Sequence, residues 1–147
     1  MPTPSVPELK KELLARGFEL YRTLGSRVLL ADRVRENLIM DSGVAIIAEE
    51  SLSVRFVVRA QTNDFPGESE AELFERARRL AGRGLARGYA EVETAVVPIA
   101  DPGDRTRTLD TWYEVAFVKK VDDLEQMFDE VRWAIGLQKA AVAGKRE

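Results

Sequence analysis

Cysteine and histidine are both absent. Without thiolates there are no disulfides, no cysteine nucleophile and no thiolate zinc site. Without imidazole the commonest general base and the commonest transition-metal ligand are missing. Ser-His-Asp and Cys-His catalysis are therefore impossible within this chain. No run approaches ~18 consecutive apolar residues, so no segment reads as a membrane-spanning helix. The opening Met1-Pro2-Thr3-Pro4-Ser5-Val6-Pro7 has no basic stretch followed by an apolar core. It does not read as a secretory signal, and a cytoplasmic protein is expected. A large charge excess is missing too: 22 basic residues face 25 acidic ones, a net charge of −3. That balance speaks against a general nucleic-acid binder, which usually carries a basic surplus.

What is present suffices for a folded core. The chain has 147 residues, 45% of them apolar and 32% charged. One domain over 1–147 is expected, with a flexible leader at 1–6 and a charged tail at 144–147. From Pro7, the residues Leu9, Leu13, Leu14, Phe18, Tyr21 and Leu24 recur every three or four positions, the signature of one helical face. Gly25 is a plausible stop for that helix. Residues 26–40 admit a helix with a Val28, Ala31, Val34 and Leu38 stripe, or one or two strands. The extended reading is preferred, with Leu38-Ile39-Met40 entering a turn at Asp41-Ser42-Gly43.

Val44–Ala48 reads as a short apolar strand and Leu52–Arg59 as a strand with one wet face. Ser69 followed by Glu72 is a capping box. It opens a helix with a Leu73, Phe74, Ala77, Leu80, Ala81 and Leu85 stripe, ended by Gly88. Ala90 to Val97 alternates as a strand that Pro98 should end, and residues 99–108 read as a polar loop. Leu109–Lys120 is the strongest strand signal. Asp122 with Glu125 suggests a second capping box before a last helix that stops near Gly144. The expected core includes Phe56, Leu73, Leu80, Phe117, Phe128 and Ile135. The fold class is α+β, an antiparallel sheet of four to five strands with three helices in the order α-β-β-β-α-β-β-α.

Two constellations stand out. Arg76, Arg79, Arg83 and Arg87 fall on one face of the expected middle helix. They are a candidate anion-binding row, although Glu72–Arg76 and Glu75–Arg79 pairs on a solvated face account for them more simply. Trp112, Ala116 and Val118 share one face of the last strand, opposite Tyr113, Val115 and Phe117. Tyr89 and Val97 extend that apolar strip. A second apolar face must be covered by a helix, a partner chain or a ligand. Gly82-Arg83-Gly84 follows a helix instead of a strand, so it does not match a phosphate-cradling loop. The acidic pairs Asp101/Asp104 and Asp122/Asp123 are better used in turns and caps than as a metal site. No metal or cofactor is expected.

The order of elements, in a small acidic chain, resembles the type III secretion chaperone-like superfamily, which includes the class I secretion chaperones and the YbjN-type bacterial proteins. The resemblance spans residues 7–143 and rests on order and size. It implies a homodimer that binds a partner protein through apolar surface on its sheet and first helix, without catalysis. The residues point the same way, to a non-enzymatic, chaperone- or adaptor-like module binding a partner protein or peptide. A regulatory domain that takes a small anionic ligand or nucleotide at the arginine row is the alternative. An enzyme would have to rely on carboxylates, Tyr113, Tyr89 or Lys119.

Overall fold

A computed structural model describes the chain over residues 3–146, with side chains described through residue 140. The elements run α1 (Val6–Ala15), β1 (Leu20–Leu24), β2 (Arg27–Arg35), β3 (Leu38–Ala48), β4 (Leu52–Gln61), α2 (Glu70–Leu80), α3 (Gly82–Ala86), β5 (Ala90–Asp101), β6 (Asp104–Val121) and α4 (Leu124–Arg146). The strands form an antiparallel sheet in the order β1-β2-β3-β4-β6-β5. The fold is α+β as expected, but with six strands and four helices among the described residues. Contacts divide the chain into two compact units, Met1–Phe56 with Val118–Glu147, and Val57–Phe117.

In the first unit, α1 starts at Val6, one residue before Pro7, with Ser5 Oγ accepting from the Glu8 amide at 3.3 Å. Thr3 Oγ1 donates to the Glu50 carbonyl at 3.0 Å. The expected helix to Leu24 ends at Ala15 instead. Gly17 takes φ 85°. The Phe18 amide then returns to the Leu13 carbonyl at 3.0 Å and the Gly17 amide to Leu14 at 3.1 Å. These two bonds satisfy the last helical carbonyls and turn the chain out of the helix. Tyr21 and Leu24, which matched the helical spacing, lie in β1. Gly25, at φ 59°, is not a helix stop; it opens the two-residue hairpin to β2, where a positive φ is required.

Residues 27–35 and 38–48 are extended, as preferred, in the antiparallel pair β2–β3. The Asp41-Ser42-Gly43 turn is a bulge inside β3 rather than its beginning. Leu29 faces Ala45 while Ala31 faces Asp41, so three residues of β3 oppose one of β2. Side chains take up the backbone groups this disturbs. Ser42 Oγ donates to the Leu30 carbonyl at 2.8 Å and accepts from the Val44 amide at 3.2 Å, and Asp41 Oδ1 accepts from the Gly43 amide at 2.8 Å.

Register separates the two faces of this part of the sheet. Val28 faces Ile46, Ile46 faces Val54 and Val44 faces Phe56, and all five are buried. α4 covers this face: Trp133 meets the Phe56 ring edge-on at 5.8 Å, and Lys119 Nζ lies 3.1 Å from the buried Glu130 carboxylate. Phe128 is fully buried and stacks on Phe18 at 6.0 Å under the Arg16 guanidinium, which also pairs with Glu125. The cap of α4 is Asp123, one residue later than expected. Its Oδ1 accepts from the Gln126 amide at 2.8 Å, while Gln126 Oε1 accepts from the Asp122 amide at 2.7 Å. The helix passes Gly144 to Arg146, and the side chains of the charged tail lie outside the described residues.

In the second unit, the capping box at Ser69 and Glu72 forms as expected. The middle helix breaks at Ala81 into α2 and α3, where Gly82 and Gly84 lower helical stability. Leu73, Ala77 and Ala81 are buried, but Leu85 is 57% exposed. Gly88 ends α3 with φ 102° by the same two-bond motif as Gly17, from Tyr89 to Gly84 and from Gly88 to Leu85. Pro98 does not end the fifth strand, and residues 99–108 are not a loop. β5 continues to Asp101, turns at Pro102-Gly103 and enters β6 at Asp104. The Asp101 carboxylate accepts from the Gly103 amide at 2.8 Å, a side-chain-closed turn that makes the long loop unnecessary. Pro98 is tolerated because β5 is an edge strand.

Of the expected core, Phe56, Leu73, Phe117 and Phe128 are buried, whereas Leu80 and Ile135 are half-buried. Phe128→Ala should cost roughly 3–5 kcal/mol of stability, since it empties a buried site against a stacked ring. Urea melts measure this. A variant that melts with the wild type would contradict the assigned face of α4.

Candidate protein-binding face

Trp112 and Tyr113 are neighbours on β6 and point to opposite faces. Tyr113 meets Phe74 of α2 edge-on at 5.2 Å. Trp112 therefore lies on the side of the strand away from α2. It is half-buried, with the Arg59 guanidinium 4.1 Å above its ring. Arg59 Nη2 is also 3.0 Å from Glu114 Oε2, and Trp112 Nε1 donates to Asp110 Oδ2 at 3.3 Å. Arg59, Trp112 and Glu114 form one layered cluster, with the indole, a cation and a carboxylate on the same face. Asp110 is held in turn, since its Oδ1 accepts from the Asn63 amide at 3.1 Å and from its neighbour Thr111 at 2.8 Å.

The other strip residues separate. Ala116 is buried, Val97 is half-buried on β5, and Val118 is half-buried in the first unit. Tyr89 is 3% exposed, so it offers no surface. The helix-ending motif at Gly88 sends Tyr89 inward, which alternation along a strand does not reveal. Arg59 was missed because an alternating arginine on a wet strand face carries no signal of its own. Its cross-strand stacking on Trp112 comes from strand pairing.

In the first unit the face opposite Phe56 holds Arg27, Leu29, Ala45, Ile47, Ser53 and Arg55, which face one another across β2, β3 and β4. α4 packs on the other side of these strands. Leu29 and Ile47 are half-buried, while the small Ala45 and Ser53 are buried between longer neighbours.

The expected arginine row is divided between two helices. The break at Ala81 leaves Arg76 and Arg79 on α2, Arg83 on α3 and Arg87 at the end of α3. Arg76 is engaged: its Nε donates to Glu68 at 2.8 and 2.9 Å, Nη2 lies 2.7 Å from the same carboxylate, and the guanidinium sits 3.9 Å over the Phe65 ring. The expected Glu72–Arg76 and Glu75–Arg79 pairs give way to Glu68–Arg76 and Glu75–Arg78. A hollow of about 330 Å³ beside this helix is lined by Glu68, Ala71, Glu72, Glu75, Arg76 and Arg79. Three carboxylates against two guanidiniums give it an acidic balance, poorly suited to an anion.

Among the described residues, no group of three or more metal-ligating side chains could hold an ion, and no helix is long and apolar enough to cross a membrane. Comparison with protein-family models, curated proteins and solved structures returns no match.

The Arg76 hydrogen bonds hold the Glu68 carboxyl below its usual range, against the opposing effect of partial desolvation. A carboxyl depressed on folding adds stability above its unfolded pKa and loses it as pH falls through the folded one. The stability difference between wild type and Arg76→Gln should therefore shrink on acidification through the carboxylate range. Urea midpoints at neutral and acidic pH measure it. A difference that does not change with pH would contradict the assigned pairing.

Proposed function

We propose that the chain is a non-enzymatic protein-binding module, chaperone- or adaptor-like, that holds an apolar segment of a partner protein against the Trp112 face. The supporting observation is the placement of Trp112 on the strand face away from α2, with Arg59 stacked on it. Tryptophan and arginine are the residue types that most often dominate binding energy at protein interfaces. Here they form one preorganised surface, and pre-ordered side chains reduce the entropy cost of association. The missing histidine and cysteine and the lack of a described metal-ligand cluster leave little chemistry for catalysis. The resemblance to the type III secretion chaperone-like superfamily implies the same class of activity, a cytoplasmic setting and a homodimer. The anionic-ligand reading is weakened by the engaged Arg76 and the acidic hollow beside it.

The test is selection of peptides from a random library on the immobilised full chain. Selected peptides should be rich in apolar residues. Trp112→Ala should weaken their binding by roughly thirty-fold, the equivalent of a hot spot of about 2 kcal/mol. Arg83→Glu should leave it unchanged. Equal binding by wild type and Trp112→Ala, or stronger dependence on Arg83, would overturn the reading.

A further inference from the structure

Two rows of side chains cross β1 to β4 within the first unit, on the face away from α4. In one row Leu24 faces Arg27, Arg27 faces Ile47 and Ile47 faces Ser53. In the other Arg22 faces Leu29, Leu29 faces Ala45 and Ala45 faces Arg55. Residues directly opposite, and residues two apart on a strand, share a face, so the rows make one surface. Its middle is apolar. Leu29 and Ile47 are half-buried, and Leu24 at the corner is 51% exposed.

Charge is segregated here. The chain carries 25 acidic residues against 22 basic ones, yet the two rows hold three arginines and no acid. Arg55 has contacts within the fold, so the charge offered outward is that of Arg22 and Arg27. Acids at the ends of these strands are taken up elsewhere. Glu49 Oε1 accepts from Ser26 Oγ at 3.1 Å, and both Glu19 oxygens accept from Arg33 at 2.7 Å.

The sheet also restricts the form of an occupant. β2 and β3 each have a strand on both sides, so their backbone groups are spent within the sheet. A segment laid on this face meets side chains only, and its own buried N–H and C=O groups must be bonded internally. An amphipathic helix meets that condition. Arg22 and Arg27 are diagonal neighbours across β1 and β2, roughly 7–8 Å apart along the sheet. Acids three or four apart on a helix are about 5–6 Å apart, within reach of two long arginine side chains. We propose that this face docks an acidic amphipathic helix of a partner protein, with its apolar stripe on Leu29 and Ile47 and two carboxylates on Arg22 and Arg27.

No residue of this face belongs to the Trp112 cluster, and the test separates the two. The probe is a labelled synthetic amphipathic helix with a leucine stripe flanked by glutamates, and its control carries lysines in their place. Fluorescence anisotropy on the full chain should show binding of the glutamate peptide that weakens with added salt, and weaker binding of the lysine peptide. Arg27→Glu should weaken the glutamate peptide about ten-fold and strengthen the lysine peptide, with unchanged circular dichroism. Trp112→Ala should leave both affinities as they are. If Arg27→Glu does not fold, Arg22→Glu, at an exposed position, decides the matter. No binding of the glutamate peptide, equal affinity for the two peptides, or an unchanged affinity in the folded arginine variant overturns the proposal. So does a loss of binding in Trp112→Ala alone, which would put the probe on the other face.

Discussion

The one-sided packing of helices on the sheet governs the rest of the structure. In the first unit, Val28, Val44, Ile46, Val54 and Phe56 share one face and are all buried. α4 lies on that face through Trp133 and through the Lys119–Glu130 pair. In the second unit, α2 takes the Tyr113 side of β6 and leaves Trp112 on the other. Hydrophobic burial on the covered side supplies most of the stability, at about 25 cal/mol per Å² of apolar surface. On the side without a described helix, Leu29, Ile47 and Trp112 remain half-buried.

Arginine is used here as much for packing as for charge. Arg16 lies over Phe128, Arg59 over Trp112 and Arg76 over Phe65, each within 4.2 Å of the ring centre. Each is also paired with a carboxylate: Glu125, Glu114 and Glu68 respectively. A planar guanidinium can satisfy both contacts at once, which an ammonium on a flexible stem does less well. In the arginine row of the sequence, Arg76 shows this double use. Arg76 is held between a ring and a carboxylate, and the helix that would align the others is interrupted.

Strong local signals in the sequence survive in the structure. The Ser69–Glu72 capping box, the β4 alternation and the burial of Phe56, Leu73, Phe117 and Phe128 are legible because each is decided by neighbouring residues or by hydrophobicity alone. The misreadings come from chain reversals. Phe18, Tyr21 and Leu24 keep helical spacing beyond Gly17, but the helix is ended by backbone bonds to Leu13 and Leu14 that no hydrophobic period encodes. Pro98 and Asp101-Pro102-Gly103 look like the start of a loop. They instead mark an edge strand and a tight hairpin, because strand order decides whether a proline is tolerated. Trp112 was legible as lying on the strand face opposite Tyr113. Its partner Arg59 was not, since the two meet only after strand pairing brings distant segments together.

The one-sided sheet can be measured through its methyl groups. In a protein labelled at Ile, Leu and Val methyls, a soluble paramagnet broadens signals according to their access to solvent. Leu29, Ile47 and Val57 lie on the faces without a described helix, whereas Val44, Ile46 and Val54 lie under α4. The account predicts clear broadening of the first three and protection of the second three. Equal protection of Ile47 and Ile46 would mean that the second face of the first unit is covered, and would contradict the one-sided packing of that unit.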